Sequence, residues 1–296
     1  MAHPPPQDMN SSYPQAGEIP SPGPERVPPS IESPRPQRPG WAYAPATYAL
    51  IAINVLVYVA MALNHVSLFK PTGAQLITWG ATHPYAVLYL GQWWRIVTAM
   101  FVHVGVIHLA TNMWCLWNLG LLGEPLLGPL GIVAAYLLAG AAGNLLSIGI
   151  NMATRTEGSV GAGASGAVLG IAGALIVLLK SPALLKRHNT PEDRKEISGL
   201  RRSIIYFAVI TFLIGFGGNQ FNGYVNLEVK VDNMAHLGGL IGGILFALPL
   251  VPRPGSENRD FLFRRRLAIG LMTCLLIFFG VYLSAVFPAP SLPMQQ

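Results

Sequence analysis

The feature that most constrains this chain is a series of long apolar runs, because about 20 apolar residues are enough to cross the hydrocarbon core of a bilayer. In lipid, a helix satisfies its backbone hydrogen bonds internally. The runs therefore predict an all-α membrane protein, a polytopic bundle of seven transmembrane helices. The seven runs are Ala46–Leu63, Ile96–Leu122, Leu130–Ile150, Ala164–Leu179, Ser203–Gly217, Asn233–Val251 and Leu267–Phe287.

The composition agrees with a surface that faces lipid. Of the 296 residues, 52% are apolar and only 11% are charged, whereas a soluble domain has roughly a quarter of its residues charged. A net charge of +6 would suggest nucleic-acid binding in a soluble protein. Membrane orientation explains these charges better, so we expect a lipid bilayer and no nucleic acid as partner.

The chain divides into five predicted segments. Residues 1–44 are rich in proline and polar residues and cannot bury enough apolar surface to fold, so we expect a disordered cytoplasmic tail. The others are a six-helix core over residues 45–252, a basic loop over 253–266, a seventh helix over 267–287 and a short exported tail over 288–296.

The basic residues predict the orientation. With the N-terminus in the cytoplasm, the cytoplasmic side receives every lysine and arginine except Lys70, Arg95, Arg155 and Lys230. Cytoplasmic loops carry such an excess. We therefore expect a multi-pass protein of a bacterial plasma membrane, with the N-terminus in the cytoplasm and the C-terminus outside.

This orientation brings polar residues of three helices to one depth. The second, fourth and sixth runs all cross from outside to inside, so their N-terminal ends lie near the outer leaflet. His108 and Asn112 lie partway into the second run, Ser165 begins the fourth, and His236 begins the sixth. We expect these four side chains to converge below the outer surface.

Ser165 lies in a segment of small residues, Gly163-Ala-Ser-Gly166. A helix N-terminus offers unpaired backbone N–H groups and a positive dipole end, which can stabilise an oxyanion and so favour a nucleophile there. Taken alone, the segment is more typical of a helix-packing face, with serine bonding between helices. Gly166 and Gly170 form such a GxxxG pair.

His236 is an ionisable residue within an apolar span, which by default indicates function. Gly239 and Gly243 share its helix face, so the glycine-bearing fourth helix could pack closely enough to bring the imidazole to Ser165. A structural histidine bonded to a backbone carbonyl is the alternative.

His108 and Asn112 are four residues apart and share one helix face. Both can donate hydrogen bonds, as an oxyanion site requires; a water-binding polar stripe is the alternative. His103 is interpreted as structural or water-linked.

Two other functions could use these polar residues. His103, His108 and His236 could ligate a metal, but the chain has no HExxH pattern and the nearby carboxylates fall in predicted loops, so we expect no metal and no cofactor. A proton or ion transporter is disfavoured because every aspartate and glutamate falls outside the predicted spans.

Together these motifs resemble the rhomboid family of intramembrane proteases over roughly residues 46–250. The resemblance lies in the Trp94-Arg95 pair after the first helix, His103 to Asn112 in the second, Gly163-Ala-Ser-Gly166 as a GxSG motif, and Ala235-His236-Leu-Gly-Gly239 as the motif of the base.

The resemblance implies a six-helix core plus one C-terminal helix and a Ser165–His236 dyad without an acidic member. It also implies that His108 and Asn112 stabilise the oxyanion, and that single-pass membrane proteins are cleaved near the outer membrane face. Residues 70–93 would form an interfacial loop and residues 218–231 a mobile cap. Structural or water-linked roles would fall to His103, Trp94, Arg95, Gly163, Gly166 and Gly239.

The sequence departs from the family pattern at Leu169, where many members carry an aromatic residue that packs on the catalytic imidazole. A leucine fills the space but offers no ring face. The main alternative function is a non-catalytic rhomboid-like protein that binds or escorts transmembrane helices. Inactive relatives usually lack the serine or the histidine, and both are present here.

Overall fold

A computed structural model describes residues 1–3, 43–156, 158–181, 190–225, 231–251 and 258–289, with the backbone alone for 217–225 and 258–259. Apart from its two ends, the predicted tail over residues 1–44 lies outside these ranges, as does most of 288–296. The described helices all belong to one unit, Trp41–Gln296. They are α1 Pro45–Leu63, α2 Gly73–Thr78, α3 Pro84–Leu88, α4 Arg95–Thr98, α5 Val106–Ala153, α6 Ser165–Leu178, α7 Pro191–Val225, α8 Asn233–Ala247 and α9 Asn258–Val286, with a 3-10 turn over Leu248–Leu250.

The all-helical prediction is confirmed for the described residues, where the sole extended pairing is a bridge between Thr82 and Gly161. Within the described ranges, five stretches are long and apolar enough to cross a membrane, by length and composition. They are α1, α5, Pro191–Phe216 of α7, Asn233–Leu250, and Asp260–Val286 of α9. The apolar α6 is shorter, at 14 residues. The count of seven spans stays a prediction.

The second and third predicted runs lie within a single 48-residue element, α5. Its backbone leaves the helical region at Gly128, where φ is 73° and ψ is 166°. Pro125 and Pro129 lie on either side of this break, and each lacks the N–H that an unbroken helix would use. The two predicted spans therefore correspond to the two parts of α5 on either side of Gly128.

Several predicted boundaries were wrong, because apolarity does not mark where a helix begins. The second run was expected to start at Ile96, but α5 begins at Val106, after the short α4 and a turn at Gly105 with φ of 100°. His108 therefore lies in the first turn of α5, and His103 lies before the helix.

The expected loops were also partly wrong. Residues 70–93 contain the short helices α2 and α3, and α7 extends through residue 225 into the expected cap over 218–231. Helix α9 begins at Asn258, so the expected basic loop over 253–266 is helical from that residue onward. Polar residues continue a helix beyond its apolar span, since backbone hydrogen bonding does not require apolar side chains.

The core lies around α6, whose residues from Gly166 to Leu175 are all buried. Helix α6 packs against α5 and α8. A Cβ built on Gly239 would lie 2.7 Å from the carbonyl carbon of Gly166, and one on Gly243 would lie 2.7 Å from Cα of Gly170. The backbones of α6 and α8 therefore touch at both predicted glycine pairs. This contact sets the distance between the N-terminal ends of the two helices, where Ser165 and His236 lie.

One buried carboxylate lies within a helix, contrary to expectation. Glu124 of α5 is 4% exposed. It accepts hydrogen bonds from the backbone N–H groups of Ala46 and Thr47, at 3.0 and 2.8 Å, and from the Thr47 hydroxyl at 2.7 Å. Ala44, at the N-cap of α1, makes no side-chain capping bond. Glu124 therefore caps α1 from another helix, satisfying N–H groups that have no intrahelical partner.

Candidate active site

Two helix N-termini bring the predicted nucleophile and base together. Ser165 is the first residue of α6, and His236 lies in the first turn of α8. The imidazole Nε2 lies 2.7 Å from the Ser165 Oγ. With the serine hydroxyl as donor, Nε2 accepts and the neutral imidazole carries its proton on Nδ1. This is the geometry a serine nucleophile and its general base require.

The side chain of His236 is buried where it meets Ser165. The residue is 5% exposed, and its Nδ1 has no hydrogen-bond partner among the described residues. Asp232 caps α8 by accepting from the backbone N–H of Ala235 at 2.9 Å, and it also accepts from the hydroxyl of Ser147. The carboxylate therefore organises the start of α8, and it is not the hydrogen-bond partner of Nδ1 of His236.

His108 lies directly against the turn that precedes the nucleophile. A Cβ on Gly163 would lie 2.5 Å from Cε1 and 3.0 Å from Nε2 of His108. Gly163 also has φ of 126°, a conformation that side chains other than glycine rarely adopt. The turn therefore requires glycine on two grounds, backbone conformation and contact with the imidazole.

Asn112 lies one turn further along the same face of α5. One of its amide hydrogens is donated to the carbonyl of His108 at 2.9 Å, which leaves the other for a ligand. The Nδ1 atom of His108 accepts from the backbone N–H of Val104 at 3.4 Å, so Nε2 of the neutral ring carries the hydrogen. Both side chains can thus donate a hydrogen bond.

His103 supports the nucleophile turn from behind. It is fully buried, and its Nε2 accepts from the backbone N–H of Ala164 at 3.4 Å while its Nδ1 lies 3.3 Å from the carbonyl of Phe101. The neighbouring N–H of Gly163 donates to the carbonyl of Ala99 at 2.9 Å. The segment before α5 therefore fixes the backbone on which Ser165 is carried, an arrangement that fits a structural role for His103.

The four predicted site residues Ser165, His236, His108 and Asn112 line one cavity of 730 Å³. Among the described residues, no group of three or more His, Cys, Asp or Glu side chains could hold a metal ion. The cavity therefore brings a serine, two imidazoles and an amide to one lining, together with other polar side chains such as those of Lys70, Asn144 and Asp232.

Trp94 and Arg95 lie outside the lining of this cavity and hold the segment before α5 together. The buried Arg95 donates from Nη1 to the carbonyls of Ile77 and Ala81, at 2.6 and 3.0 Å, and from Nε to Gln92 at 2.6 Å. Its guanidinium lies 4.5 Å from the ring centroid of Trp94. These contacts tie α2 to α4, and the Thr82–Gly161 bridge links the same region to the nucleophile turn.

Sequence reasoning missed one aromatic neighbour of the base. The ring of Phe212, from α7, lies with its centroid 6.1 Å from that of His236 and its plane at 87° to it. Leu169 is buried within α6 and presents no ring to the imidazole. No sequence signal identified Phe212, because the face of α7 that turns inward depends on its packing.

Comparisons with known proteins identify the family that this chain resembles over most of its described helices. A family model described as the Rhomboid domain matches residues 90–253, a range that includes every predicted site residue. Rhomboid protease GluP of Bacillus subtilis (strain 168) is 31% identical over 218 residues, which cover 73% of this chain and 37% of GluP. Rhomboid protease AarA of Providencia stuartii is 27% identical over 244 residues, covering 79% of this chain and 82% of AarA.

A plant protein is also similar. RHOMBOID-like protein 6, mitochondrial, of Arabidopsis thaliana is 31% identical over 191 residues, covering 64% of this chain and 54% of that protein. The chain thus spans about half or less of the length of GluP and the plant protein, but most of the length of AarA.

Proposed function

This chain belongs to the rhomboid family, and from that premise we propose that it is an intramembrane serine endopeptidase with Ser165 as nucleophile and His236 as general base. The observation that carries the proposal is the 2.7 Å distance between Nε2 of His236 and Oγ of Ser165. The two atoms meet inside a cavity, at the N-termini of two helices that touch backbone to backbone.

The reaction follows from this geometry. The Oγ of Ser165 attacks the scissile carbonyl carbon while Nε2 of His236 takes the hydroxyl proton. The tetrahedral intermediate collapses, the C–N bond breaks, and the departing amine takes that proton from His236. Water then attacks the acyl ester on Ser165, with His236 again accepting a proton, which returns to Ser165 as the carboxylic acid leaves.

The negative charge of the tetrahedral intermediate needs donors fixed in advance. His108 and the free amide hydrogen of Asn112 supply two from α5. Helix α6 begins at Ser165, so its first backbone N–H groups lack intrahelical acceptors and supply further donors. The contact of His108 with Gly163 supports this role, since it holds the imidazole beside the nucleophile turn.

The substrates we propose are single-pass membrane proteins cleaved near the outer membrane face. The catalytic side chains lie at the first turns of α5, α6 and α8, and the basic residues Arg264, Arg265 and Arg266 lie in the early turns of α9. If basic residues mark the cytoplasmic side, the N-terminus is cytoplasmic and the catalytic cavity lies toward the outside.

The test is cleavage of a model single-pass protein in liposomes that contain the purified full chain. We expect wild type to release one pair of products and Ser165→Ala to release none. Ser198→Ala, which removes an exposed hydroxyl on α7, serves as the matched control and should cleave like wild type. Binding of the substrate without cleavage by wild type would overturn the proposal in favour of a non-catalytic binder.

A further inference from the structure

We propose that Phe212 of α7 is a positioning residue that holds the imidazole of His236 toward Ser165; the inference rests on the proposed function. The two rings meet edge to face, with centroids 6.1 Å apart and planes at 87°. This is a preferred arrangement for aromatic pairs. Phe207, Thr211, Ile214 and Gly215 of α7 line the cavity. Phe212 instead contacts the base.

His236 has few other restraints on its ring. In a Ser-His-Asp triad, a carboxylate bonded to Nδ1 holds the imidazole in the productive orientation. Here Nδ1 has no partner among the described residues. The imidazole therefore makes one hydrogen bond, with Ser165, and this bond alone does not prevent the ring from turning about the line between Nε2 and Oγ. Leu169, one turn after the nucleophile, is aliphatic. The ring of Phe212 supplies the missing steric restraint.

The backbone contacts of α8 place the Cα of His236 but not its side-chain torsions. Gly239 fixes the spacing to α6, and Asp232 caps the first turn. Neither is hydrogen-bonded to the imidazole ring. Because edge-to-face packing disfavours rotation of either ring, a contact with Phe212 restricts χ2 of His236 and keeps Nε2 directed at Ser165.

The register of α7 against α8 explains how Phe212 reaches the base. Gly215 follows Phe212 by three residues and shares its face. A Cβ on Gly215 would lie 3.0 Å from Cγ of Asn233, the first residue of α8, and Asn233 precedes His236 by three residues. The missing side chain at Gly215 thus lets α7 approach α8 closely where Phe212 meets His236.

The contact between Phe212 and His236 stands out because few residues of α7 are buried. Only 11% of the residues in its most apolar stretch are buried, so most of this helix faces outward. A helix held by few contacts nevertheless directs one half-buried ring at the catalytic base.

The test compares ring removal at two positions of α7 by steady-state proteolysis in liposomes. Phe212→Leu keeps an apolar side chain but removes the ring, and we expect kcat to fall roughly three- to tenfold with KM unchanged. Phe212→Tyr retains the ring and should stay within about twofold of wild type. Phe216→Leu makes the same change at a side chain that is 67% exposed and should leave kcat unaffected.

Rates are normalised to the folded fraction at the assay temperature, taken from melting curves of each variant, so that loss of folding does not imitate loss of positioning. A kcat for Phe212→Leu equal to that of Phe216→Leu, or an effect on KM alone, overturns the inference. Failure of the proposed function is a separate result, because there wild type itself does not cleave, or Ser165→Ala still does.

Discussion

The Nε2 atom of His236 lies 2.7 Å from the Oγ atom of Ser165, although the residues are 71 positions apart in the chain and belong to different helices. Two supports hold this contact. One is the glycine-lined interface between α6 and α8, and the other is the turn before Ser165, which rests on His108 and His103. Each support leads to a prediction.

Replacing Gly163 with alanine should disrupt the nucleophile turn. The residue has φ of 126°, and its Cβ would lie 2.5 Å from Cε1 of His108. Such backbone strain costs about 1–3 kcal/mol, and either the turn or the imidazole must move. We expect kcat to fall by at least about tenfold, measured by proteolysis in liposomes.

The control for that variant is Gly158→Ala. A Cβ on Gly158 would meet nothing within 4 Å and the residue has no positive φ, so its activity should equal that of wild type. Equal activities of the two alanine variants would contradict the description of the turn.

Loss of one oxyanion donor should lower the rate without abolishing folding. We expect His108→Ala and Asn112→Ala each to reduce kcat by about 10²–10³. Asn118→Ala is the matched control, because Asn118 makes the same bond to the carbonyl four residues earlier on the same helix, but is exposed. Cleavage at the wild-type rate in the His108→Ala/Asn112→Ala double variant would remove both residues from the oxyanion site.

The convergence of the four site residues could be predicted because each is a polar side chain in or beside an apolar run. Once the runs are taken as membrane-spanning helices, alternate helices share a direction, and residues near their N-termini share a depth. Gly239 and Gly243 were predictable for a related reason, since small residues at helical spacing permit close packing.

Other features could not be predicted because apolarity alone does not define backbone conformation. The segment Ile96–Phe101 is as apolar as a span, yet α5 begins only at Val106, after the turn at Gly105. Glu124 was expected outside the spans, between the runs that end at Leu122 and begin at Leu130, but the helix continues through it and its carboxylate caps α1. The contact of Phe212 with His236 could not be predicted, because it depends on how α7 is rotated about its own axis and α7 is apolar on several faces.

Adding a methyl group at the interface of α6 and α8 should destabilise the protein. A Cβ on Gly239 would lie 2.7 Å from the carbonyl carbon of Gly166, a backbone atom that cannot move aside alone. We expect Gly239→Ala to lower the free energy of unfolding by about 1–3 kcal/mol, measured by thermal unfolding in detergent.

The same change at Gly270 of α9 provides the contrast. A Cβ there meets nothing within 4 Å, and alanine is favoured over glycine within a helix by roughly 0.5–1 kcal/mol. Gly270→Ala should therefore be neutral or stabilising, and a shift of the same sign and size for both variants would argue against backbone contact at Gly239.

Removing the charge of Glu124 should weaken the attachment of α1. The carboxylate accepts three hydrogen bonds from Ala46 and Thr47, whereas a glutamine amide presents its NH2 group to one of those donors. We expect Glu124→Gln to lower the free energy of unfolding by about 1–3 kcal/mol. Glu192→Gln, at an exposed position of α7, should change stability little, and equal stability of the two variants would rule out the cap.

The most direct test of the Ser165–His236 dyad is labelling with a fluorophosphonate in membranes, with the modified residue located by mass spectrometry. The dyad predicts that the label attaches to Ser165 in wild type, that Ser165→Ala is not labelled, and that His236→Ala is labelled far more slowly although it folds. Labelling of another residue, or equal labelling of wild type and His236→Ala, would contradict the account.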